Sequence, residues 1–154
     1  MATSAEVLAA VEAAFTGVPK PEHFMEYIGD PECTKHDELL RARDRATLKI
    51  EDVGNLCWQP ISYCSPEGMA YYMPALARLA LAEPTYEYGR YGDTLLVHLS
   101  TSAIGNGFLQ FCTREQRDAI AMLLNHLSTA FTEYEMRLAA PEQFLKCAQL
   151  WAPA

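Results

Sequence analysis

Basic charge is the scarcest property of this chain: 12 lysines and arginines face 20 aspartates and glutamates, for a formal net charge of −8. A groove that tracks nucleic-acid phosphates depends on clustered lysine and arginine, so direct nucleic-acid binding is excluded as the leading expectation. No apolar run approaches the roughly 20 residues of a membrane span. No glycine-rich phosphate cradle and no dinucleotide fingerprint occurs, which removes the usual sequence signals of nucleotide chemistry. The five cysteines, Cys33, Cys57, Cys64, Cys112 and Cys147, are odd in number and scattered, unlike a secreted disulfide framework. The opening MATSAEVLAAVEAAF carries Glu6 and Glu12 and no lysine or arginine, which is not the pattern of a signal peptide. A cytoplasmic protein with reduced thiols is the expectation.

What the chain does have is apolar content, half of its 154 residues. That is enough for one domain, 1–154, to bury a core without covalent staples. The segment SPEGMAYYMPALARLALA, Ser65 to Ala82, holds one charge, Arg78, after Met69, and its apolar side chains point all round a helical wheel. A helix of that kind belongs in an interior. Ser65 is placed to cap it, Pro66 suits its first position, and Glu67 faces the positive dipole end. Pro74 predicts a kink near Ala70 or a break into two pieces.

Around this centre the expected elements are helical. Thr3 with Glu6 forms a capping box for a helix over about 4–16, in which Val7, Leu8, Val11 and Phe15 share a face. Gly29-Asp30-Pro31 reads as a turn, and Thr34 as the cap of a short charged helix held by Leu39 and Leu40. Leu48 to Cys64 reads as an ordered loop. Asp93 is expected to cap a helix over 93–101, although a buried strand fits the same run. Thr113 and Gln116 start the longest helix, its stripe running from Ile120 through Leu123, Leu124, Leu127, Phe131 and Tyr134 to Leu138. A last helix from Pro141 to Trp151 turns Phe144, Leu145, Ala148 and Trp151 inward. The fold class is therefore mainly α, a compact single-domain helical bundle around a buried proline-containing central helix, 65–82, with long ordered loops.

Two surfaces are candidates for recognition. Glu22, Glu26, Asp30, Glu32, Asp37 and Glu38 fall in one stretch where Lys35 is the single counter-charge, and such a run reads either as a solvated face or as an electrostatic docking surface. Tyr86, Tyr88, Arg90 and Tyr91 lie in a loop with proline and glycines, a composition suited to contact at low entropy cost. The alternative for these side chains is to fold back over helix ends.

Chemistry is harder to find. Cys33 and His36, three apart, can bite one zinc ion, with Cys57, Cys64, His98 or Cys112 as remote ligands, but a second short pair is missing. Asp37-Glu38 and Glu51-Asp52 are adjacent and do not face each other on a helix. His98 and His126 sit among leucines as core or boundary residues. No cofactor is expected.

The motifs GDPE, HDELLRARDR, KIEDVGN, WQPISYCSPEG and YYMPALARLAL, spread over Gly29 to Ala82, resemble a bacterial family of small acidic proteins described only as a domain of unknown function. The resemblance extends through TREQRDAIAMLLNHL to residue 127. It implies a soluble bacterial protein and supplies no reaction. The functional expectation is a non-enzymatic inhibitor that presents its acidic stretch and aromatic loop to a basic protein or nucleoprotein complex. An anti-CRISPR protein of a phage acting as a partial DNA mimic fits this size and charge, and so does an immunity protein. A small helical metal protein or enzyme centred on Cys33 and His36 is the competing class, and self-association into a homodimer is a third expectation.

Overall fold

The computed structural model describes residues 1–25, 29–134 and 138–153. Its regular structure is helical: α1 (Ser4–Phe15), α2 (Pro31–Ala42), α3 (Ile50–Val53), a 3-10 turn (Pro60–Tyr63), α4 (Pro66–Leu81), α5 (Tyr91–Leu99), α6 (Thr101–Gly105), α7 (Phe108–Phe111), α8 (Arg114–Leu127) and α9 (Pro141–Trp151). Among the described residues β-pairing is confined to isolated bridges, Met25 with Cys64 and Thr85 with Gly89. No described helix is long and apolar enough to cross a membrane.

α4 is the buried centre. Ser65 accepts from the Gly68 amide at 3.1 Å, Pro66 occupies the first helical position, and ten of sixteen residues are buried. Gly68 is there for proximity, because a Cβ would lie 2.8 Å from Phe24 Cδ1. Pro74 does not break the helix, contrary to the simplest reading of its missing N–H. Pro74 has no N–H for the Ala70 carbonyl four residues back; on the same turn Arg45 Nε donates to Tyr71 O at 2.5 Å while its guanidinium lies 4.8 Å over the Tyr71 ring. Arg45 Nη2 also donates to Phe15 O at 2.7 Å, tying the end of α1 to the middle of α4. Arg45 thus braces the proline turn from outside, and the helix runs through.

α1 lies between α4 and α8, and α9 packs on α8. The capping boxes at Thr3/Glu6 and Thr113/Gln116 form as the sequence predicts. Val7, Val11 and Phe15 are buried on the inner face of α1. Residues 91–99 form a helix, not a strand, but Asp93 is not its cap: Arg90 holds that position, and the Asp93 carboxylate accepts from the Leu138 amide at 2.9 Å. Where α5 gives way to α6 the Leu99 carbonyl is freed, and Trp151 Nε1 and Cys147 Sγ both donate to it, at 2.5 and 3.2 Å. α9 is thereby locked onto the end of α5.

The longest described helix is α4, not α8. α8 ends at Leu127 because side chains take its last carbonyls: Ser128 Oγ donates to Asn125 O, Thr129 Oγ1 to His126 O and Arg90 Nη2 to Leu127 O. Phe131 then adopts a left-handed φ of 55°, which no helix continues through. In α9, Phe144, Ala148 and Trp151 face inward as expected, whereas Leu145 is exposed.

Candidate partner-binding surface

The acidic stretch is organised by α2. The helix starts one turn earlier than a Thr34 cap would give, because Asp30 accepts from the Glu32 amide at 2.8 Å and Pro31 follows in the first position. Its buried stripe is Cys33, His36, Asp37 and Leu40, with Leu39 only half-buried. This register leaves Glu32 and Glu38 on the exposed side with Lys35 and Arg41, and Glu22 and Asp30 are exposed before the helix. Glu26 lies outside the described residues.

Asp37 does not belong to that surface. It is 3% exposed, Oδ1 accepts from the Phe24 amide at 2.6 Å, and Oδ2 meets His23 Nδ1 at 2.8 Å. Burial pushes its carboxyl upward, but the bonds from His23 and Phe24 outweigh burial and hold it below the ordinary range. Its work is to fasten the segment before α2 to the helix. The pairing bridges fourteen positions of chain, so no local motif announces it. Among the described residues no hydroxyl or thiol bonds to His23.

Beside the acidic edge stands an aromatic group that the sequence reading did not assemble. His36 is fully buried, 4.3 Å from the Trp58 ring and stacked on Tyr63 at 5.7 Å between centroids. Its Nε2 lies 3.4 Å from Glu32 Oε1. Tyr63 stays half exposed at 50%, and Leu56 in the same loop is 66% exposed. The available signal was His36 falling in the apolar i, i+3, i+4 rows of α2, where an imidazole requires aromatic or polar cover.

The loop 86–91 divides. Thr85 and Gly89 exchange backbone bonds at 2.8 and 3.3 Å across a tight turn, with Gly89 at a φ of 66° and Tyr134 Oη donating to Thr85 O. Tyr86 projects from it, 94% exposed. Tyr88 is half-buried; burial and then the charges of Glu87 and Glu51 raise its hydroxyl above the ordinary range. Arg90 and Tyr91 are buried rather than presented to solvent. Arg90 Nη2 donates to Leu127 O at 2.7 Å, its Nε lies 3.6 Å from Asp93 Oδ1, and its guanidinium sits 4.6 Å over Phe144. Tyr91 is 4% exposed and its hydroxyl has no partner among the described residues. The end of α8 needed a donor, and Arg90 supplies it from inside.

Among the described residues no three histidine, cysteine or carboxylate side chains are placed to hold a metal ion. All five cysteines are free. Burial raises Cys33, helped by Asp30 and Glu32, and raises Cys64, helped by Asp37. It pushes Cys112 up to about 12 and Cys147 up to about 11. Thiols held protonated at neutral pH are poor nucleophiles. No family model, curated protein or solved structure matches the chain.

Proposed function

We propose that this chain is a non-enzymatic protein-binding inhibitor, cytoplasmic and bacterial in origin, that covers a basic, nucleic-acid-handling partner. The observation that carries the reading is the exposure of the carboxylates Glu22, Asp30, Glu32 and Glu38 along one stretch of chain, with the half-exposed Tyr63 stacked on His36, whose Nε2 meets Glu32. Exposed carboxylates complement lysines and arginines that would otherwise hold phosphates, and they accelerate encounter with a basic surface. Tyr63 and Leu56 supply the apolar anchor that rim charges alone do not provide. Tyr86 with Glu87 forms a smaller acidic-aromatic knob of the same chemistry.

The test is affinity capture from nuclease-treated bacterial lysate, with bound proteins identified and rebound in purified form. A partner that normally binds DNA or RNA, that is released by added nucleic acid and by rising salt, supports the reading. It fails if the captured protein binds nucleic acid and this chain simultaneously, or if replacing Glu22, Glu32 and Glu38 by lysine leaves capture unchanged.

A further inference from the structure

Arg45 and Arg78 line one cleft of about 380 Å³ between the end of α1 and the Pro74 turn of α4, together with Glu12, Thr16, Ala46 and Pro74. That volume lies within the range of small-molecule sites. Both arginines are half-buried, and both are held by carbonyls: Arg45 by Tyr71 O and Phe15 O, Arg78 by Arg45 O at 3.1 Å and Leu48 O at 2.8 Å.

A carbonyl fixes a guanidinium without neutralising it. Among the described residues neither arginine has a carboxylate within 4.0 Å, whereas Arg43 is paired with Asp52 and Arg90 with Asp93. The carbonyl bonds use Nε and Nη2 of Arg45 and Nη2 of Arg78. Arg45 Nη1 and Arg78 Nε and Nη1 are left over. Burial lowers Arg45, the direction expected of a cation that pays desolvation without a counter-ion. Arg45 meets the C-terminal end of α1 and Arg78 stands in the last turn of α4, so both cations sit where a helix dipole favours positive charge, and the carbonyls that hold Arg78 belong to the loop before α3. Glu12, exposed, is the only carboxylate lining the cleft. The donors are thus pre-positioned and, among the described residues, not ion-paired, which is an arrangement that binds an oxyanion with little ordering cost.

We propose that this cleft binds the oxyanion head group, phosphate or carboxylate, of a small molecule. Arg45 Nη1 and Arg78 Nε and Nη1 are its donors, and Glu12 and Thr16 meet hydroxyl or amino groups on the rest of the ligand. The site is independent of the acidic surface of α2 and does not rest on the inhibitor reading.

The test is an NMR titration of the full chain that follows the arginine Nε–H signals, with sodium phosphate in one arm and sodium acetate in the other, ionic strength held constant with sodium chloride. Saturating shifts of the Arg45 and Arg78 signals are expected, and the arm that saturates identifies the head group. Arg78→Gln should weaken binding about tenfold. Ala46→Glu keeps every carbonyl anchor and brings a carboxylate into the cleft, so it should abolish binding while the helical circular dichroism stays unchanged; it carries the test alone if Arg78→Gln fails to fold. No saturable shift with either anion overturns the proposal, as does undiminished binding in Ala46→Glu.

Discussion

The chain from Glu22 to Glu38 and the chain from Tyr86 to Tyr91 are both rich in charged and aromatic side chains, yet they meet water in opposite ways. The first gives up one carboxylate, Asp37, to fasten a loop and keeps Glu22, Asp30, Glu32 and Glu38 outside. The second gives Arg90 and Tyr91 to the interior and keeps Tyr86 outside. The difference follows from what each segment adjoins. The end of α2 takes its donors from Tyr72 Oη and Lys20 Nζ, on Leu40 O and Arg41 O, so none of its own outward carboxylates or neighbours is drawn inside to close it. Residues 90 and 91 begin α5 and lie against the open end of α8, whose Leu127 carbonyl takes an arginine donor. Composition marks a segment as able to recognise; the neighbouring helix ends decide which of its side chains are free to do so.

The largest effect expected from this comparison is at Arg90. Arg90→Ala leaves Asp93 buried and uncompensated and the end of α8 short of a donor, so it should cost about 3–5 kcal/mol in urea unfolding. A loss below about 1 kcal/mol would return Arg90 to the surface.

Next comes His98, buried with Nε2 unpartnered in a small cleft with Ser62, Ser102 and Asn106. Burial lowers it from 6.5 to about 4. Because the unfolded chain takes up the proton first, stability falls as pH drops from 6.5 towards 4, by up to about 3 kcal/mol. His98→Leu should flatten that window in pH-dependent unfolding, and an unchanged slope would contradict the burial argument.

Asp37→Asn should cost about 1.5–3 kcal/mol at neutral pH, through the weakened bonds to His23 and the Phe24 amide. The carboxyl is held below its ordinary 3.8, so its contribution is present above that pH and is lost as pH falls through the lowered value. The variant and the parent should therefore converge in acid. A gap that persists there would assign Asp37 a role other than its charge.

The smallest stability effect belongs to the outer face. Lysine at Glu22, Glu32 and Glu38 together should change stability by no more than about 1 kcal/mol, most of it from Glu32 in the first turn of α2. A larger loss would mean that these carboxylates serve the fold.

Much of the architecture is legible before any coordinates, because its signals are local. Ser65-Pro66-Glu67, the two capping boxes and the Pro141 start each specify an end within one turn of chain, and α1, α4 and α9 begin where those residues say. The misreadings concern events set by distant partners. Pro74 stays in a continuous helix, braced by Arg45, twenty-nine positions earlier, which donates to the turn before it. The apolar rows of α8 point onward to Leu138, but Ser128, Thr129 and Arg90 close the helix at Leu127. The candidate surface was half legible for the same reason: charge density along a chain is visible, whereas the inward turn of Asp37, Arg90 and Tyr91, and the meeting of His36 with Trp58 and Tyr63, depend on packing.

The most direct test of the central claim is to bind the parent chain and the Glu22/Glu32/Glu38 lysine variant side by side to the purified captured partner, across a salt series and with competing nucleic acid. The account predicts that the parent binds, that salt and nucleic acid displace it, and that the folded variant does not bind. Equal, salt-insensitive binding by both proteins would contradict it.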